Sequence, residues 1–100
     1  MEEWTIETWK EKAKNHEVTA LYLYTPFCGT CKVASKMLEV VEVLLPQIPI
    51  GKANINFLED FAFEQQIESV PCLLITKNGK EHEKVYAFES VQNLYEKLRL

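Results

Sequence analysis

The chain of 100 residues carries eleven Lys and Arg against fifteen Asp and Glu, a formal charge of −4, and 47% of it is hydrophobic. That suffices for one core, so residues 1–100 are expected to form a single domain. The charges are interspersed and no apolar stretch nears the roughly 18 residues of a membrane helix, so neither nucleic acid nor a membrane is an expected partner.

In chain order, Ile6, Trp9, Ala13 and His16 share one helical face behind Thr5, a candidate N-cap. Residues 19–24 run apolar without alternating, which predicts a strand buried on both faces. A helix from about 29 to 45 follows, stopped by Pro46. Residues 50–55 read as a second strand. Asn56 with Glu59 has capping-box spacing and predicts a short helix through Leu58 and Phe61 to about Ile67. Residues 72–76 form a third strand. Asn78-Gly79 signals a two-residue hairpin turn, after which residues 81–86 return antiparallel. Val91, Leu94, Tyr95 and Leu98 line a closing helix behind Ser90. Alternating strands and helices require a parallel pair with right-handed crossovers, and the hairpin adds an antiparallel one. The expected fold is therefore α/β, a mixed sheet with helices on both faces.

Cys28-Gly29-Thr30-Cys31 stands where the first predicted strand passes into a helix. Unpaired N–H groups and the helix dipole stabilise an anion there, and the thiolate is the nucleophile of disulfide exchange. Three cysteines have the wrong parity for a secreted disulfide framework, and Met1-Glu2-Glu3-Trp4 lacks the features of a signal peptide. A cytoplasmic location is expected. In that reducing setting a C-x-x-C is redox-active or metal-binding rather than structural.

Over residues 18–100 the chain resembles thioredoxin-fold proteins. The resemblance rests on Phe27-Cys28-Gly29-Thr30-Cys31-Lys32, on Val70-Pro71 ahead of a strand, on Lys77-Asn78-Gly79-Lys80 and on the closing helix. It implies a thioredoxin-like fold with a mixed sheet of four strands, or five if residues near Trp4 pair. It also implies a cis peptide before Pro71 and thiol–disulfide exchange in which Cys28 attacks and Cys31 resolves. Substrate contact falls by the same resemblance on Phe27, Gly29, Thr30, Val70, Pro71 and Tyr86. The implied partners are disulfide-containing proteins or mixed disulfides of small thiols, with a thioredoxin reductase as the candidate recycling enzyme. No cofactor or metal is expected, and the chain is expected to act as a monomer.

The departures from the family pattern concern the mechanism. Tyr22 stands where thioredoxins carry a buried Asp, Lys52 matches the Lys near it, and Tyr86 replaces a glycine by the substrate groove. A phenol near its ordinary pKa of about 10 accepts protons poorly at neutral pH, so resolution by Cys31 is expected to be slow. Thr30, in place of a proline, frees its N–H to donate to a thiolate. Cys72, next to Pro71, is read either as a third thiol near the site or as a core residue facing away. Two other functions stay open at this point. One is a redox-sensing or binding module with little turnover. The other is a metal site on Cys28, Cys31 and Cys72, for which His16 and His82 fall at the far end of the sheet and leave no fourth ligand.

Overall fold

The computed structural model describes residues 1–99. The elements are β1 (Glu2–Glu3), α1 (Ile6–Asn15), β2 (Val18–Tyr24), α2 (Gly29–Leu44), β3 (Ile50–Asn54), a 3-10 turn (Ile55–Phe57), α3 (Glu59–Glu64), β4 (Cys72–Lys77), β5 (Lys80–Val85) and α4 (Val91–Leu98). They form one five-stranded sheet in the order β1-β3-β2-β4-β5. The parallel pairs are β1·β3 and β2·β3, and the antiparallel pairs are β2·β4 and β4·β5. Glu2 and Glu3 supply the fifth strand, and the Trp4 N–H extends it to the Lys52 carbonyl at 2.8 Å. Among the described residues no helix is long and apolar enough to cross a membrane.

β2 lies in the middle because both its faces are apolar. Val18, Ala20 and Tyr22 join Leu73, Ile75, Ala34, Leu38, Val41, Leu94 and Leu98 in a core beneath α2 and α4. The alternate residues Leu21 and Leu23 join Cys72, Leu74, Trp4, Trp9 and Phe61 in a second core beneath α1 and α3. The period of two along each strand divides the side chains between the cores. Trp4 seals the second one by lying flat on Gly51, where a Cβ would come within 1.9 Å of the indole.

The predicted caps and turns hold at most junctions. Thr5 and Ser90 each cap a helix by accepting the N–H three residues on, and Cys28, not predicted as a cap, does the same for α2. Asn78 and Gly79 both have positive φ, 54° and 79°, as a two-residue turn matched to the strand twist requires. β5 carries a bulge, since Ile75 faces Glu83 while Thr76 faces Glu81, leaving His82 as the extra residue.

Three predictions fail locally. Asn56 and Glu59 form no capping box. Asn54 instead accepts from the Asn56 N–H at 3.0 Å, turns the end of β3 into the 3-10 turn, and leaves α3 without a side-chain cap. That helix also stops at Glu64, short of Ile67, because Gln66 adopts the left-handed conformation (φ 56°). The N–H groups of Gln66 and Ile67 then bond back to the carbonyls of Phe63 and Ala62, which closes the helix end without a glycine. His16 leaves the packed face as well, since it ends α1 in extended backbone and is exposed.

Candidate active site

The site is built at the carboxyl end of β2, where the chain crosses Thr25 and Pro26 and enters α2. Cys28 is the N-cap of α2, in extended backbone, and its Sγ accepts the Cys31 N–H at 3.2 Å. Serine or aspartate does this at most helix starts; here a sulfur does it. The Thr30 hydroxyl lies 3.3 Å from the same sulfur. Two donors therefore converge on Cys28 Sγ at the positive end of a sixteen-residue helix. The sequence-based expectation that the Thr30 N–H would be the donor is corrected, because the Cys31 N–H and the Thr30 hydroxyl take that role. One helical turn on, Cys31 is buried with its Cα 5.1 Å from that of Cys28, and the two sulfurs are joined as a disulfide. Cys28 is half-buried, so it is the sulfur that faces outward.

Tyr22 lies beneath this turn with no exposed surface. Its hydroxyl donates to the Cys31 carbonyl at 2.7 Å and accepts from the Ser35 hydroxyl at 3.3 Å. Burial raises its pKa, against a smaller opposing effect of the Ser35 hydrogen bond, so the phenol stays protonated. Lys52, its register partner on β3, turns to other groups. Its ammonium sits 3.9 Å from Glu3 and 5.6 Å over the Tyr24 ring, while the Tyr24 hydroxyl donates to Glu3.

The remaining residues predicted for the site divide. Val70-Pro71 is a cis peptide, and Pro71 lines a recess of about 330 Å³ with Thr30, Val33, Ala34, Tyr86 and Phe88. Tyr86 thus reaches the edge of the site, and its hydroxyl accepts the Glu68 N–H at 3.2 Å. Phe27, next to Cys28 in the chain, is 99% exposed, so its ring is apolar surface open to solvent rather than part of the core. Gly29 has open space where a Cβ would stand, so no contact requires a glycine there. Of the two readings of Cys72, the core residue facing away holds and the third thiol of the site does not. The alternation along β4 sends Leu73 toward α2 and Cys72 into the opposite core. Burial pushes its pKa up to about 11, with a Tyr86 hydrogen bond and Lys84 opposing. Among the described residues no three His, Cys, Asp or Glu side chains converge on a metal-sized site. Ser35, Val33 and Phe88 were not anticipated. Ser35 was legible as the residue one helical turn after Cys31; Phe88 had no signal.

The thioredoxin family profile matches residues 1–99. This chain belongs to the thioredoxin family. It is similar to the thioredoxin-like protein YusE of Bacillus subtilis, with 54% identity over 83 residues, 83% of this chain and 78% of the relative. Thioredoxin-1 of Saccharomyces cerevisiae is 37% identical over 62 residues, covering 62% of this chain and 60% of that one. Among solved structures, Trxlp of Edwardsiella tarda superposes with a TM-score of 0.87 at 15% identity, over 99% of this chain and 98% of that one, a likeness of fold. Family membership and a cysteine pair at disulfide distance make this thioredoxin-family chain a thiol–disulfide oxidoreductase.

Proposed function

We propose that Cys28 is the nucleophile and Cys31 the resolving thiol in the reduction of accessible disulfides. In the reduced enzyme the Cys28 thiolate attacks a substrate disulfide, forming a mixed disulfide and releasing one substrate sulfur as a thiolate. Cys31 loses its proton and attacks Cys28 Sγ. The Cys28–Cys31 bond forms, the bond to substrate breaks, and the second substrate sulfur leaves and takes up a proton. Two substrate sulfurs are reduced and two enzyme sulfurs oxidised. Substrates are proteins or small-thiol mixed disulfides, and Val70 and Pro71 offer backbone and an apolar edge to an extended segment. A thioredoxin reductase regenerates the dithiol, in a reducing compartment such as the cytoplasm.

One observation carries the assignment of roles. Cys28 Sγ is half-exposed and receives two hydrogen-bond donors, whereas Cys31 is 3% exposed behind it. Only the former can meet a bulky substrate. Cys31→Ser should therefore accumulate mixed disulfides on Cys28, cleaved by dithiothreitol, while Cys28→Ser accumulates none. Equal trapping by both variants, or none by Cys31→Ser, refutes the roles. A second reading, slow turnover, is supported by the buried phenol at Tyr22. Dithiothreitol-driven insulin reduction far below that of an Asp-containing thioredoxin supports it, and an equal rate rejects it.

A further inference from the structure

We propose that Tyr22 is a positioning residue for the resolving thiol, its hydroxyl tying the first turn of α2 to the central strand so that Cys31 faces Cys28. The inference rests on the assignment of Cys31 as the resolving thiol.

The tie begins from a rigid base. Tyr22 stands in mid-strand, paired with Lys52 of β3 on one side and Leu73 of β4 on the other. Its ring is held by Tyr24, stacked at 5.8 Å between centroids, and by Phe88 at 5.9 Å. The 2.7 Å hydrogen bond to the Cys31 carbonyl is at the usual length for O–H···O. A carbonyl in the first turn already receives the N–H four residues on, so Tyr22 takes its second lone pair. Ser35 completes the arrangement by donating to the Tyr22 oxygen from the same helix, one turn further. The helix is thus gripped at two successive turns by one phenol oxygen.

Burial makes the grip directional. A buried hydroxyl without a partner costs free energy, and Tyr22 finds its acceptor only when the Cys31 carbonyl occupies its present place. A rotation of that peptide carries the Cys31 side chain with it. The hydroxyl therefore fixes the orientation from which Cys31 Sγ reaches Cys28 Sγ. Tyr22 accepts no proton in this step, because its own proton is committed to the carbonyl. Cys31 gives its proton to water or to the departing substrate thiolate.

The quantity that reads this positioning is the effective concentration of Cys31 toward Cys28. It equals the ratio of internal disulfide to Cys28–glutathione mixed disulfide, multiplied by the concentration of reduced glutathione, measured at equilibrium after acid quench by mass. For Tyr22→Phe it should fall by between about two- and tenfold, the usual worth of one hydrogen bond. The rate at which Cys28 attacks oxidised glutathione should stay unchanged. Ser35→Ala should lower the effective concentration by a smaller factor. An unchanged effective concentration in Tyr22→Phe overturns the proposal, and so does an equal loss in the Cys28 attack rate, which signals general loosening. Should Tyr22→Phe fail to fold, Ser35→Ala decides alone: a fall supports the tie and no change rejects it. Failure of the underlying roles looks different, since wild type would then form no mixed disulfide on Cys28.

Discussion

Thr30→Val is the sharpest test of how this site sets its redox chemistry. The substitution keeps the branched shape and removes one hydroxyl, which lies 3.3 Å from Cys28 Sγ. Valine and threonine have nearly equal helix propensity, so α2 should start as before. In the disulfide the sulfur is a weak neutral acceptor; in the thiolate form that attacks substrate it is a strong one. The hydroxyl therefore stabilises the reduced state more than the oxidised state. Hydrogen bonds to charged groups are worth about 1.5–3 kcal/mol. Thr30 is exposed, and solvent screening reduces this to about 0.5–1.5 kcal/mol. At about 30 mV per 1.4 kcal/mol, Thr30→Val should lower the reduction potential by about 10–30 mV. Equilibration with glutathione buffers of known ratio, with both species quantified after acid quench, measures it. Thr30→Ser should restore most of the wild-type value. A potential that stays put or rises in Thr30→Val refutes the reasoning, because the hydroxyl would then not favour the thiolate.

Tyr22→Asp should accelerate resolution of a mixed disulfide at neutral pH by supplying a base beneath Cys31. It should also lose about 3–5 kcal/mol of stability through the lost aromatic; stopped-flow thiol release and urea unfolding check the two effects, and an unchanged resolution rate rejects the first. Gly51→Ala should cost about 1–3 kcal/mol in urea unfolding, because the added Cβ meets Trp4 at 1.9 Å and must lift it from the sheet. Stability should decline at alkaline pH through Cys72. Its pKa is raised in the fold from 9.0 to about 11, so its contribution is complete below pH 9 and is lost as pH rises through 11. Cys72→Ala should flatten that part of the stability profile, and alkylation of the native reduced enzyme near neutral pH should spare Cys72 while modifying Cys28.

Much of this was legible along the chain because the signals are local. Asn78-Gly79 needs only two adjacent residues that tolerate positive φ, and the turn forms there. Thr5 and Ser90 cap their helices from the residue pattern alone. The cysteine pair needed only a strand, a turn and a helix start to be read as a reactive site. The failures are places where two local patterns compete. Asn54 and Asn56 both suit a cap, and the geometry at the end of β3 chose the former. Gln66 carries no glycine signal, yet it takes the left-handed position that ends α3. Cys72 is a different case: both its readings were open in the sequence, and strand phase, in which one residue separates the reactive face from the opposite core, decided for the core.

The chain order and chemistry of Cys28 and Cys31 follow from spacing three residues apart on a helix start, a constraint that acts within one turn. The separation of Cys72 from them, the commitment of the Tyr22 hydroxyl to the Cys31 carbonyl, and the diversion of Lys52 to Glu3 and Tyr24 follow from packing. They involve residues far apart in the chain whose relation exists only once β2, β3 and β4 are in register and α2 has closed over them. Covalent order can place a sulfur at a helix end, but which groups lie across from it is decided by the faces of a folded sheet.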